Sequence, residues 1–248
     1  MKYLIPVAAA VICCACGSPA VTTNNADTTI TTQQRPDTTV TAATVKETIK
    51  IGNVVYDITS ATEEEFDNAQ AWVSDTSEVR TLAATGGLVS RVVDTMFLRA
   101  GLRTVRLINN GDDDGDSFCQ YDFLGEAPGT GQWVVLGMYY ESAAYLLISK
   151  ETGDTTYTMG TPVLSPDKKY FMCCNADLEA QFTPNGIQLF RNTKVPELVE
   201  EVSLEKWGPE ALKWIDQQHI LIKKTLPYSN SGDYQEQKPV YIRLTARK

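Results

Sequence analysis

The chain has 248 residues, of which 43% are hydrophobic and 21% charged, and its formal net charge is −9. This hydrophobic fraction excludes wholesale disorder and collagen-like repeats, and the acidic balance argues against the clustered basic face of a nucleic-acid-binding protein. The single histidine, His219, excludes a catalytic zinc site built from two or three imidazoles. We interpret it as a residue on the face of a strand.

Residues 1–15 have the proportions of a secretory signal peptide. Lys2 supplies a positive charge, residues 3–12 are almost wholly apolar, and small residues follow. The apolar run is too short to cross a bilayer as a mature helix, and no later run approaches eighteen apolar residues. We therefore expect an export signal at the amino terminus.

The residues that follow this run are Cys13-Cys14-Ala15-Cys16-Gly17-Ser18. They resemble the lipobox of bacterial lipoproteins, a family in which a small residue precedes a cysteine that is lipidated and becomes amino-terminal. Cys16 fits this position best and Cys14 is the alternative, while Cys13 stands where leucine is usual. The resemblance implies a membrane anchor on Cys16 and a location in the bacterial cell envelope, at the inner or the outer membrane. Such an anchor carries more than one acyl chain, and this makes binding durable.

Residues 16–48 predict a flexible tether. They are rich in Thr, Asn and Gln, and they lack aromatic residues and any sustained apolar period. Such a segment cannot bury enough surface to offset the entropy lost on ordering. A flexible chain of about 30 residues has a mean reach of roughly 30 Å, which is enough to hold a domain clear of lipid headgroups.

Residues 49–248 predict one globular domain of mainly antiparallel all-β structure with one short helix. A capping box of Thr62 and Glu65 precedes apolar residues at helical spacing, which predicts a helix near 62–74. Short strands separated by turn signals fill the rest and favour a sandwich, a barrel or a propeller. The predicted strands are 49–57, 92–98, 104–108, 119–123, 133–140, 145–149, 170–174, 187–191, 198–204, 219–223 and 240–244.

One segment resembles a blade of the β-propeller repeat families. A strand at 145–150 and the Thr152-Gly153 turn precede a threonine-rich strand, and Ser165-Pro166-Asp167-Lys168 then forms a second turn signal. In those families glycine usually occupies the position of Lys168, so a different turn conformation is open here. A weaker copy would comprise residues 186–192, 198–204, 206–216 and 219–223, about 40 residues further on. A ring of four or five blades, a partial array and another β architecture all remain open.

Residues 170–174 are apolar on both faces of one predicted strand. Phe171 and Cys173 point to one side, and Tyr170, Met172 and Cys174 point to the other. This pattern predicts a strand that is covered on both sides.

The segment from Asn110 to Asp116 is the densest acidic cluster. Oxygen-bearing residues occupy positions 1, 3 and 5 counted from Asn110, and Gly115 occupies position 6, as in the first half of a calcium loop. The second half departs from the pattern because Tyr121 stands where a bidentate Glu belongs. The alternatives are a solvated acidic turn and a weak calcium site formed by Asp112, Asp114 and Asp116, with no other cofactor expected.

Cys119, Cys173 and Cys174 follow the predicted anchor. An exported protein can form disulfides, so Cys119 pairs with Cys173 or Cys174 if their strands are neighbours. The alternative is three small buried residues.

For function, the leading hypothesis is a non-enzymatic, lipid-anchored envelope protein whose β domain binds a protein or peptide, or acts as a scaffold. Aromatic residues on the surface would bind sugar or peptide, and the loop that contains Asp177 and Glu179 is another place for binding groups. The alternative is an envelope hydrolase that uses paired carboxylates on a glycan-type substrate. Two carboxylates in one cleft with a raised pKa would favour the hydrolase.

Overall fold

A computed structural model describes residues 47–75, 77–111, 115–227 and 238–247. Sixteen strands and two short helices lie in these ranges. In chain order they are β1 (Thr48–Ile51), β2 (Val54–Ser60), α1 (Glu63–Asn68), α2 (Glu78–Ala84), β3 (Val89–Val92), β4 (Thr95–Ala100), β5 (Arg103–Ile108), β6 (Cys119–Ala127), β7 (Gln132–Tyr139), β8 (Ser142–Ser149), β9 (Thr155–Thr158), β10 (Val163–Leu164), β11 (Tyr170–Asn175), β12 (Gly186–Arg191), β13 (Glu197–Ser203), β14 (Gly208–Trp214), β15 (His219–Thr225) and β16 (Val240–Ala246).

The strands form four antiparallel sheets, which confirms the predicted all-β class. Sheet I has the order β3-β4-β5, sheet II β6-β7-β8-β9, sheet III β10-β11-β12-β13 and sheet IV β14-β15-β16-β2-β1. Sheets I to III are each built from consecutive strands, whereas sheet IV combines both ends of the described chain through the pairing of β2 with β16. The sheet arrangement is therefore propeller-like.

Three hydrophobic clusters join the sheets in series. Met96 and Leu98 of sheet I pack with Trp133 and Ile148 of sheet II. Val134 and Leu147, on the other face of sheet II, pack with Phe171 and Phe190 of sheet III. Met172 and Leu189, on the far face of sheet III, pack with residues of sheet IV that include Ile220 and Leu244. Sheets II and III are therefore buried on both faces.

The alternation predicted for residues 170–174 is confirmed by this packing. Phe171 and Cys173 belong to the cluster shared with sheet II, and Met172, with Tyr170 and Cys174 beside it, belongs to the cluster shared with sheet IV. Phe171 also stacks on Phe190, with ring centroids 5.1 Å apart.

The two proposed repeat copies occupy equivalent places in the topology. The first runs from β8 and β9, the last strands of sheet II, into β10 and β11, the first strands of sheet III. The second runs from β12 and β13, the last strands of sheet III, into β14 and β15, the first strands of sheet IV. In both copies the chain thus passes from one sheet to the next at the same point.

In the Ser165 turn, Lys168 adopts a backbone conformation that favours glycine. Lys168 has φ +61°, the left-handed conformation that glycine adopts most readily. The Ser165 hydroxyl accepts a hydrogen bond from the Tyr170 N–H at 3.1 Å and donates to Asp167 Oδ1 at 2.7 Å. These bonds within the turn stabilise Lys168 in that conformation.

The structure corrects two strand predictions. Residues 49–57 form the hairpin β1–β2, because Gly52 has φ +62° and reverses the chain with Asn53. Residues 92–98 contain the turn between β3 and β4, where Val93 has φ +54°. A β-branched residue is rare in that conformation, and the turn is therefore hidden in the sequence.

The helix predictions also needed correction, since the structure has two short helices rather than one. The Thr62–Glu65 capping box is present, but α1 ends at Asn68, and Trp72 lies in an extended connection to the second helix. That helix, α2, was not predicted; Ser77 caps its first turn. None of the helices in the described ranges is long and apolar enough to cross a membrane.

Candidate functional site

A cleft of about 370 Å³ lies where sheets II, III and IV approach one another. We call it the aromatic cleft. The end of β6, the short edge strand β10, the end of β14 and the connection between α1 and α2 form its walls. The lining residues are Gln70, Ala71, Trp72, Ala127, Pro128, Pro162, Val163, Leu164 and Trp214.

The walls of the cleft are formed mostly by apolar side chains. Trp72 packs against the core cluster shared by sheets II and III, and this contact anchors the connection after α1. Pro128 follows β6 and Pro162 precedes β10. Because proline has no N–H group, these positions present ring carbons without leaving a backbone donor unpaired. The cleft therefore offers two indole rings and two pyrrolidine rings for contact.

Trp214 contributes an unused hydrogen-bond donor. Its Nε1 atom is buried and has no partner in the described part of the chain, whereas the corresponding Nε1 of Trp133 donates to the Arg99 carbonyl at 3.3 Å. A buried polar group without a partner costs about 1–3 kcal/mol. An acceptor brought to this indole would recover that free energy.

The Trp214 indole also borders a second cavity of about 240 Å³ between sheets III and IV. Tyr56, Tyr170 and Met172 line this cavity together with Ser165 and Asp167. The Ser165 hydroxyl holds the pKa of Asp167 below its usual value, and the Lys169 N–H adds to this effect. Trp214 thus lines both the aromatic cleft and this second cavity, which also contains the polar side chains of Ser165 and Asp167.

The aromatic cleft has the composition of a binding site. Among the described residues that line it, none titrates, and Gln70 supplies the only polar side chain apart from the indole N–H groups. Pockets of this kind bind ligands through apolar contact, with a few polar groups that fix the orientation.

A larger cleft of about 680 Å³, lined almost entirely by residues with polar or charged side chains, lies at the edges of sheets II and III. Lys150 and Lys194 line it, but Lys150 pairs with Glu126 at 2.6 Å and Lys194 pairs with Glu151. Gln132, at its floor, donates to the Lys194 carbonyl at 3.1 Å and leaves its own carbonyl oxygen without a partner. Because its charges neutralise each other, we favour the aromatic cleft as the candidate site.

The predicted calcium loop is only partly described. Asp112 and Asp114 lie outside the described residues, and Asp116 is exposed. The backbones of Asn110 and Cys119 pair with each other, and the Asn110 side-chain amide donates to the Ser117 carbonyl at 3.0 Å. Within the described ranges no three metal-ligating side chains come together, so the calcium site stays a prediction.

The three cysteines in the described ranges are free thiols. Cys173 is buried in the core between sheets II and III, and burial raises its pKa. Burial also raises the pKa of Cys174, to about 12. Both thiols are therefore protonated and unreactive at neutral pH.

His219 lies at the start of β15, as the sequence indicated. Its Nδ1 atom is 2.8 Å from Oδ2 of Asp216, and both side chains are partly exposed. The backbone N–H groups of Gln218 and His219 also donate to Asp216 Oδ1. We therefore interpret Asp216 as the acceptor that organises the β14–β15 turn.

Asp177 forms hydrogen bonds with backbone groups of its own loop. Asp177 accepts hydrogen bonds from the N–H groups of Gln181 and Thr183, each at 2.8 Å. Burial opposes ionisation of Asp177, but these N–H groups outweigh it, and the pKa is lowered. These side chains stabilise the loop conformation.

The described carboxyl groups show no pKa shift of the kind that would favour the hydrolase. In the described ranges, every carboxyl group with a resolved pKa shift is shifted downward; these are Glu65, Asp75, Glu78, Asp167, Asp177 and Asp216. A general acid for glycoside hydrolysis needs the opposite shift. The structure thus offers no observation that favours the hydrolase over the binding protein.

Few features of the sequence point to the aromatic cleft. Trp72 falls within the helix predicted near 62–74, and no sequence pattern places Trp214 or Pro162 beside it. The two prolines that flank strands were the available signal.

Comparisons of the chain with protein-family models, curated proteins and solved structures give no match.

Proposed function

We propose that this protein is a lipid-anchored protein of the bacterial cell envelope whose β domain binds an extended, proline-containing peptide segment in the aromatic cleft. The observation that carries the binding function is the unpartnered indole N–H of Trp214 beside Trp72, Pro128 and Pro162. Flat rings recognise the polyproline II conformation by stacking on proline, and an indole N–H donates to a peptide carbonyl in the same groove.

The lining favours a peptide over a glycan. A sugar presents many hydroxyl groups and needs several polar side chains for their hydrogen bonds, but Gln70 is the only such side chain among the lining residues besides the indoles. A proline-rich segment presents carbonyl groups and ring carbons, and these match one donor and an apolar wall.

Binding requires a small movement of Trp214. Because its Nε1 atom is closed to solvent in this conformation, the indole must rotate slightly before a carbonyl can reach it. We therefore expect the intrinsic fluorescence of the protein to change when a ligand enters the aromatic cleft.

The test is a fluorescence titration of the domain with a synthetic decaproline peptide, with cellohexaose as the glycan control. Trp72→Ala should weaken decaproline binding more than tenfold, because it removes one wall of the cleft. Trp214→Phe, which keeps a ring but removes the N–H, should weaken it about fivefold, equivalent to one net hydrogen bond. The matched variant Trp207→Phe, in the core between sheets III and IV, should leave affinity unchanged.

Thermal unfolding of each variant checks that the fold is retained. Undetectable decaproline binding, or unchanged affinity in a folded Trp72→Ala variant, would refute the peptide site. Binding of cellohexaose instead would favour a glycan ligand.

The anchor is a separate part of the proposal and rests on the sequence around Cys16. The lipobox-like residues precede the tether, and the first described strand begins at Thr48. Labelled palmitate should be incorporated into the wild-type protein and into Cys14→Ala, but not into Cys16→Ala, which should also leave the membrane fraction. Labelling of Cys16→Ala would assign the anchor to another cysteine. Fractionation of inner and outer membranes identifies which of them holds the protein.

A further inference from the structure

We propose that the outer face of sheet I docks a short acidic segment of a partner protein. We call this surface the arginine face and define it by Val92, Phe97, Arg99, Arg106 and Ile108. It is separate from the aromatic cleft, and its argument does not depend on the peptide function proposed above.

The alternation of β3, β4 and β5 turns these five side chains away from the core. Met96 and Leu98 point into the cluster shared with sheet II, so Phe97 and Arg99, of opposite parity on β4, point outward. Phe97 is paired in register with Arg106 on β5. The Arg106 guanidinium carbon is 5.7 Å from the centroid of the Phe97 ring. Phe97 is thus flanked by two arginines, one across the strand pair and one two residues along its own strand.

These two arginines differ from the other arginines of the described chain. Six arginines form ion pairs with carboxylates: Arg80 with Asp75, Arg91 with Glu78, Arg103 with Asp154, Arg191 with Glu197, Arg243 with Glu65 and Arg247 with Asp57. Within the described ranges, Arg99 and Arg106 have no carboxylate within ion-pair distance. The chain has 31 acidic and 22 basic residues, and the two arginines that form no ion pair with another described residue both lie on this face.

Apolar side chains surround the charges. Val92 is 60% exposed and Ile108 is 56% exposed, and no sheet packs on this side of sheet I in the described part of the chain. Arginine and aromatic residues are enriched where interfaces concentrate their binding energy. A partner that presents carboxylates next to an apolar or aromatic side chain would pair with the two arginines and would also cover the apolar side chains around them.

The dimensions and the charge of the face identify the kind of partner. A three-stranded face with one four-residue and two six-residue strands measures at most roughly 20 Å by 10 Å, well below the ~800 Å² that each partner buries in a standard interface. A short segment therefore fits better than a globular surface. Two cations supply only about 1 kcal/mol each toward anionic lipid, and the net charge of −9 opposes membrane contact.

The test is a selection of random dodecapeptides displayed on phage against the immobilised wild-type domain. We expect the selected peptides to be enriched in Asp and Glu next to aromatic or aliphatic residues. Their affinity, measured with the synthetic peptides by fluorescence anisotropy, should fall at least tenfold in the double variant Arg99→Glu/Arg106→Glu and should also fall at high salt. The matched variant Arg103→Glu, on the same strand but paired with Asp154, should bind as the wild type does.

Several outcomes would overturn the proposal. These are selected peptides without acidic enrichment, equal affinity for the double variant, and dimerisation of the wild-type chain that the double variant abolishes. Binding of the wild-type domain to vesicles of anionic phospholipid, lost in the double variant, would reassign the face to membrane contact. Trp214→Phe should leave acidic-peptide binding unchanged, and this separates the outcome from that of the aromatic cleft.

Discussion

Sheets III and I have similar strands but different neighbours. Sheet III packs on sheet II through Phe171 and on sheet IV through Met172, so adjacent residues of β11 are both buried. Among the sheets of the described ranges, sheet I packs on sheet II alone, so that Met96 is buried while Phe97 remains partly exposed. The position of a sheet in the series decides whether an aromatic side chain contributes to stability or remains available for binding.

The largest expected change in the free energy of unfolding comes from a substitution that compares sheet III with sheet I directly. Phe171→Ala should lower the free energy of unfolding by about 3–5 kcal/mol, because it leaves a cavity beside the stacked Phe190 ring. Phe97→Ala, the same substitution on the arginine face, should lower it by less than about 1 kcal/mol. Urea denaturation of both variants measures the difference, and equal losses would mean that sheet I is covered on both faces.

A smaller loss of stability is expected when an ion pair between α2 and sheet I, next to sheet II, is removed. Glu78 of α2 pairs with Arg91 of β3 at 2.5 Å and accepts a hydrogen bond from the Phe123 N–H of β6 at 2.9 Å. The side chains of Arg91 and Glu78 are only 17% and 28% exposed. Glu78→Gln should therefore cost about 2 kcal/mol, because it leaves a half-buried guanidinium without its counter-charge. Denaturation at neutral pH measures this loss.

The same ion pair predicts a pH dependence. Burial opposes ionisation of Glu78, but Arg91 and the Phe123 N–H outweigh it, and the pKa lies below the ordinary value of 4.5. The stabilisation is therefore complete above pH 4.5 and is lost as the pH falls through the lowered pKa of the folded protein. The difference in the free energy of unfolding between the wild type and Glu78→Gln should become smaller in this acidic range. A difference that does not change with pH would contradict the lowered pKa of Glu78. Arg80→Gln, at the exposed pair with Asp75, is the control and should change stability by less than about 1 kcal/mol.

The smallest effects are expected at two turns with left-handed residues. Val93 in sheet I and Lys168 in sheet III both have positive φ. Val93→Gly should stabilise the protein by about 1 kcal/mol, because a β-branched residue is strained there. Lys168→Gly should stabilise it by only about 0.5 kcal/mol, since lysine is less strained and glycine adds entropy to the unfolded chain. Thermal unfolding ranks the two variants, and a destabilised Val93→Gly would show that the β3–β4 turn is not strained.

The same contrast explains what the sequence could predict. The double-sided burial of residues 170–174 was visible because every residue there is apolar, and the turns around Ser165 and Gly153 were visible because their residues have strong local preferences. The turn at Val93 could not be predicted from the sequence, because the strands on either side impose the conformation of this residue. The aromatic cleft was not predictable, because Trp72, Pro162 and Trp214 are brought together by packing between sheets.

The pairing of β2 with β16 has a consequence for how the protein is made. Thr59 and Arg243, which lie on these two strands, are 184 residues apart in the chain. The strands β1 and β2 are synthesised before the other described strands, yet sheet IV is completed only when the last described strand arrives. Until then an unpaired strand edge is open to other chains, and such long-range pairing is slow. During biogenesis the beginning of the domain therefore needs protection from aggregation until its end has emerged.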